Sequence, residues 1–246
     1  MKITPRQIVI AGALSAISIL LGVTKLGFIP FFLGTSITIM HVPVIIGAVL
    51  EGPWVGTAIG LIFGVFSLIW SYIGPNGPGD VYFQNPIISI LPRLFIGLFA
   101  FLCYRALRRI SIPWILFLSG FGLGLGAAFC YQVGQANIQA ALLSAGIALG
   151  SITALAYLSI KQETEGTALA VAATIGTLTN TVLVLGMIGL LGSLGWVPVI
   201  PWGGLLGLGL ANGIPEIIAA VLITVAVVAS WKQIEFGRKG ARIFRE

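Results

Sequence analysis

Charge is what this sequence has least of. Only 8% of its 246 residues are charged, where a soluble domain carries about 25%. So few ionic groups cannot clothe a globule of this size in water-compatible surface. That excludes an ordinary soluble enzyme, a disordered chain and a nucleic-acid binder. Cysteine is scarce too: Cys103 and Cys130 lie in or beside apolar runs, at no disulfide or metal-ligand spacing. The single histidine, His41, has no acid or cysteine cluster beside it and so builds no metal site. A Ser-His-Asp set and paired intramembrane carboxylates are both missing. Enzyme chemistry therefore has little support, and no cofactor is expected.

What is abundant is hydrocarbon, with hydrophobic residues at 58%. A bilayer core about 30 Å thick needs about 20 mostly apolar residues per helix. Continuous apolar runs lie at roughly 8–23, 36–50, 55–73, 87–107, 114–133, 139–160, 168–191 and 205–231. The second is short and broken by Pro43. A transmembrane β-barrel would need alternating segments of about ten residues, and none is visible. The expectation is an all-α polytopic membrane protein of about eight spans. It forms a single membrane domain over 1–231, followed by a basic tail at 232–246. The first run has the basic start of a signal peptide, but further apolar runs follow it, so it reads as a retained helix.

The net charge of +6 suggests nucleic acid until the charges are placed. Lys2 and Arg6 precede the first run, which puts the N-terminus in the cytoplasm. Strict alternation then sends Arg105, Arg108, Arg109, Lys161, Lys232, Arg238, Lys239, Arg242 and Arg245 to the same side, and Lys25 alone to the other. Both termini are expected to be cytoplasmic, and the protein to sit in the cell membrane. The longest polar stretches are 74–86 and the tail, with no room for an ATPase. Energy must come from an ion gradient or from partner subunits.

A charge inside hydrocarbon costs a few kcal/mol or more. Two lie well within runs, Arg93 and Glu216. Either they form a buried pair that only holds two helices together, or they face a polar ligand. His41 is either a helix-end residue bonded to backbone or a gate or pocket residue. Thr177, Asn180 and Thr181 share one helical face, as do Asn212 and Glu216. Such stripes either bond a neighbouring helix or line a pocket. Pro215 frees the carbonyl of Ala211 beside Asn212 and Glu216. Asn85, just before Pro86, is placed to cap a helix. In the first run, Gly12 with Ala16 and Ala11 with Ser15 form small-xxx-small pairs, suited to packing within the bundle or against a partner's helix. Gly120, Gly122, Gly124 and Gly126 alternate within an apolar run. They read as close helix packing rather than a phosphate loop, which needs a strand before it and a helix after it.

Several stretches occur in an order that resembles a known family. They are Thr38-Ile39-Met40-His41-Val42-Pro43-Val44-Ile45-Ile46-Gly47-Ala48 with Glu51-Gly52-Pro53 and Gly60-Leu61-Ile62-Phe63-Gly64; Asn85-Pro86-Ile87-Ile88-Ser89-Ile90-Leu91-Pro92-Arg93; Gly176-Thr177-Leu178-Thr179-Asn180-Thr181; and Ala211-Asn212-Gly213-Ile214-Pro215-Glu216. Together they resemble the substrate-binding S components of energy-coupling factor (ECF) vitamin transporters. The resemblance implies a six-helix core, so 113–160 would be an inserted helical hairpin. It implies capture of a vitamin at the outer face, and delivery with a shared transmembrane subunit and two ABC-type ATPases. It further implies a pocket near Asn85, Arg93, Asn180, Asn212 and Glu216, with Tyr72 and Trp202 as aromatic walls. A docking face on Ala11, Gly12, Ser15 and Ala16 would complete the family pattern, although Gly12 stands where alanine is more usual. Pantothenate fits the lone cation; folate, riboflavin and a corrinoid stay open. A secondary transporter using Glu216 as proton carrier is the alternative.

Overall fold

The computed structural model describes residues 3–30, 36–75, 77–107 and 164–243. The expected hairpin at 113–160, with its two runs, its alternating glycines and Cys130, lies outside the described residues. So do Arg108, Arg109 and Lys161.

Among the described residues the chain forms α1 (Pro5–Val23), a ribbon of β1 (Phe28–Pro30) and β2 (Ser36–Thr38), α2 (Val42–Glu51) and α3 (Pro53–Ile73). A 3-10 turn (Pro78–Gln84), α4 (Pro86–Leu107), α5 (Thr164–Ser193) and α6 (Trp202–Ile243) follow. Five of these helices are long and apolar enough to cross a membrane: α1, α3, α4, α5 and α6. The local chemistry sets their starts. Thr4 caps α1 by accepting from Gln7 N at 3.3 Å, while the Gln7 side chain accepts from Thr4 N at 3.0 Å, and Pro5 takes the first helical position. Gly52, at φ 102, breaks α2 from α3 in a conformation that favours glycine. Asn85 Oδ1 accepts from Ile87 N at 3.0 Å and caps α4.

The run at 36–50 is not one helix, which corrects the expectation of a span there. Its first residues pair as β2 with β1, Phe28 opposite Thr38. Helix begins only at Val42, with Pro43 in its first turn, where a missing N–H costs no intrahelical bond. At 10 residues, α2 is about 15 Å long and cannot cross alone. It is instead wrapped by the other helices, with every residue of 42–49 buried. Non-helical backbone beside such an element is tolerated at membrane depth where protein surrounds it.

Glycines decide how closely α3 and α4 meet. Gly56, Gly60 and Gly64 stand one turn apart on α3. A Cβ on Gly97 of α4 would lie 2.7 Å from the Gly56 backbone. One on Gly64 would lie 2.8 Å from Ile90 Cα, and one on Gly60 would collide with the Arg93 carbonyl. The two helices thus touch backbone to backbone, as small residues permit in lipid.

Two apolar clusters fill the bundle. One gathers Ile45, Ile59, Ile96, Ala100, Ala172 and Ala220 with their neighbours. The other gathers Ile88, Val184, Ile188, Leu191 and Leu205. On α4, α5 and α6 alike polar residues stand between the clusters: Arg93; Thr177, Asn180 and Thr181; Asn212 and Glu216. A polar layer therefore cuts the apolar interior.

Candidate functional site: a buried polar layer

Arg93 is 4% exposed and sits directly after Pro92, inside α4. An internal proline leaves the carbonyl four residues back without its helical donor. That carbonyl, Ile88 O, is taken by Arg93 Nη1 at 2.6 Å. The same sequence step that breaks the helix bond thus tethers the guanidinium. Phe63 of α3 and Phe83 of the 3-10 turn flank it, with ring centroids 5.4 and 4.8 Å from Cζ, close enough for cation–π attraction. Arg93 Nε has no hydrogen-bond partner among the described residues.

Glu216, 6% exposed, accepts from the Thr38 backbone N at 2.8 Å and so ties β2 to α6. The Thr38 and Thr181 hydroxyls stand beside its carboxylate. Arg93 and Glu216 lie near enough to feel each other's charge but make no direct ion pair. Ion pairs among the described residues include Arg6–Glu51 at 2.7 Å and Lys232–Glu165, both away from this layer. A buried Arg–Glu bridge that simply staples two helices is therefore not what is built.

His41 is fully buried and stands at the start of α2 without capping it. Its Nε2 meets Thr177 Oγ1 at 2.9 Å, across to α5. Of the two alternatives left open for His41, the backbone-bonded helix end is not what forms: the bond is to a side chain on another helix.

The layer keeps much of its hydrogen-bonding capacity unspent. His41 Nδ1, Arg93 Nε, Asn180 Oδ1, Thr181 Oγ1 and Asn212 Oδ1 are buried without partners among the described residues. Each such group costs about 1–3 kcal/mol when left dry. Native proteins rarely leave them so unless a ligand or ordered water completes them. Their types are complementary: donors at Arg93, acceptors at His41 and the two amides, and both at Thr181.

The other expected residues lie elsewhere. Asn85 is half-buried, its oxygen spent on the α4 cap. Tyr72 is exposed and donates to Gln84 O at 3.1 Å. Trp202 is exposed at the start of α6, its indole over Gly189 of α5. The rings packed on Arg93 are instead Phe63 and Phe83. The glycines around Phe63 were the available signal for the first, since they draw α3 onto α4. On α1, Ala11 is half-buried and Ser15 buried, both turned toward the bundle, while Gly12 and Ala16 face away from it. A Cβ at Gly12 would meet nothing within 4 Å.

Apolar membrane-length helices around a partly unsatisfied polar layer define a polytopic helical membrane protein. Residues 6–228 match the family described as the ECF transporter substrate-specific component, and the chain belongs to that family. A substrate-specific component is a transport subunit rather than an enzyme. The chain is also similar to the pantothenate transporter PanT of Leuconostoc mesenteroides subsp. mesenteroides, 36% identical over 76 residues. That match covers 30% of this chain and 37% of the relative's length.

Proposed function

We propose that this chain is the high-affinity binding subunit of an ATP-driven importer. It sits in the cell membrane with both termini cytoplasmic. It captures a small water-soluble vitamin of the pantothenate type at the outer face. A shared transmembrane subunit and two ABC-type ATPases, which hydrolyse the nucleotide, complete the transporter and drive release inside. The observation that carries the reading is the polar layer itself: five buried hydrogen-bonding atoms, one of them Arg93 Nε, without partners among the described residues, and an arginine that no acid among those residues directly neutralises. A carboxylate with hydroxyls and an amide, as pantothenate has, matches that inventory. The relative's name points the same way.

Within the site, Arg93 holds the carboxylate, and Asn180, Asn212 and Glu216 take the ligand's polar groups. Asn85, Tyr72 and Trp202 border the entrance. Docking onto the partner uses the Gly12 and Ala16 face of α1, while Ala11 and Ser15 shape that helix from within. Mass spectrometry of small molecules that co-purify with the chain tests the reading, followed by titration of the emptied protein with pantothenate. Recovery of a different vitamin class would replace the ligand. Accumulation driven by an ion gradient in vesicles holding this chain alone would replace the mechanism with a secondary transporter using Glu216.

A further inference from the structure

His41 has one nitrogen committed and one bare, and the geometry says which. The Thr177 hydroxyl carries a single hydrogen, and we assign it to Ala173 O at 2.9 Å, a carbonyl that can only accept. Toward His41, Thr177 can therefore offer only a lone pair. With the Thr177 hydrogen so assigned, the 2.9 Å contact places a hydrogen on His41 Nε2. In the neutral ring Nδ1 is then an acceptor without a hydrogen. The backbone nearby does not use it. A residue at the start of a helix usually accepts from the second or third helical N–H. Here Pro43 has none to offer, and Val44 N is held by the His41 carbonyl at 3.1 Å. Nδ1 has no partner among the described residues, and the ring is 0% exposed. Its anchor, Thr177, lies on the α5 face that carries Asn180 and Thr181, whose oxygens are unpartnered as well.

We propose that His41 is a specificity-determining residue of the polar layer, its Nδ1 accepting a hydrogen bond from a ligand hydroxyl or amide N–H while the ligand's anionic group lies at Arg93. Thr177 is a positioning residue: its bond to Ala173 O fixes the histidine tautomer. The ligand class is thereby narrowed to compounds that join an acid to a hydrogen-bond donor. A plain monocarboxylate leaves Nδ1 empty. This rests on the reading of the layer as the vitamin site.

The test uses the purified full-length chain, titrated with pantothenate, with analogues that each lack one hydroxyl, and with an analogue methylated at the amide nitrogen. The wild type is expected to bind one of these analogues about tenfold more weakly than pantothenate, the effect of a single hydrogen bond. His41→Phe should erase that gap while still discriminating against the other analogues. His41→Asn, which keeps an acceptor, should retain most of it. Thr177→Val should narrow the same gap. A gap unchanged in both His41→Phe and Thr177→Val overturns the proposal. So does a uniform loss of affinity for all probes, which marks a purely structural histidine. If His41→Phe does not fold, as judged by thermal melting, the Thr177→Val result decides alone. Failure of the wild type to bind pantothenate overturns the site reading before any variant is compared, and this proposal with it.

Discussion

At the scale of the residue, Arg93 concentrates the chemistry. Its guanidinium is tethered to Ile88 O and flanked by two rings, so it is preorganised rather than searching for a partner. Hydrogen bonds to charged groups are worth about 1.5–3 kcal/mol. Arg93→Ala should therefore weaken ligand binding by about 10- to 100-fold in a variant that still melts cooperatively, as titration would establish. Pro92→Ala returns an amide to Ile88 O and competes with the arginine for it. Affinity should fall several-fold, yet the change should add nothing in an Arg93→Ala background, because both act through one group. Arg93 and Glu216 were legible in the sequence, since an ionic group in a hydrocarbon run stands out without any structure. Phe63 and Phe83 were not. The glycines flanking Phe63 mark where α3 meets a neighbour but not which residue it meets, and Phe83, in the 3-10 turn, carries no such mark.

At the scale of the element, glycine sets the distances. Gly97 and Gly56 bring α4 and α3 into backbone contact, and this contact places Phe63 over Arg93. Gly97→Ala forces the helices apart and should cost about 1–3 kcal/mol, as overpacking does, with a matching loss of ligand affinity. Gly186→Ala, whose Cβ meets nothing within 4 Å, should leave both unchanged and serves as the control in thermal melts. The long helices were legible from unbroken apolar runs, and observed bounds such as Pro53–Ile73 and Pro86–Leu107 lie within two residues of those expected. The run at 36–50 misled because composition cannot separate a short buried helix with a strand before it from a span. Pro43 held the information, as a limit on where helix can start.

At the scale of the whole molecule, the two faces of α1 divide the labour. Ser15 and Ser18 are buried, and Ser18 Oγ donates to Met40 O at 3.1 Å, so one face belongs to the bundle. The opposite face, with Gly12 and Ala16, is open. Gly12→Leu should leave vitamin binding intact and abolish uptake in vesicles that hold the complete transporter and ATP, because the proposed docking, and not the proposed binding site, uses that face. Normal uptake would move the docking surface elsewhere. The longest helix carries a mechanical consequence. Beyond Pro215, α6 runs 28 residues to its end at Ile243 without a second proline, a rod of about 40 Å. Any swing of about 5° that a guest imposes where Asn212 and Glu216 sit becomes a sideways travel of about 3–4 Å at the far tip, by lever geometry alone. A tilt at that level is thus amplified into displacement at the basic end of the chain by the length of the helix alone.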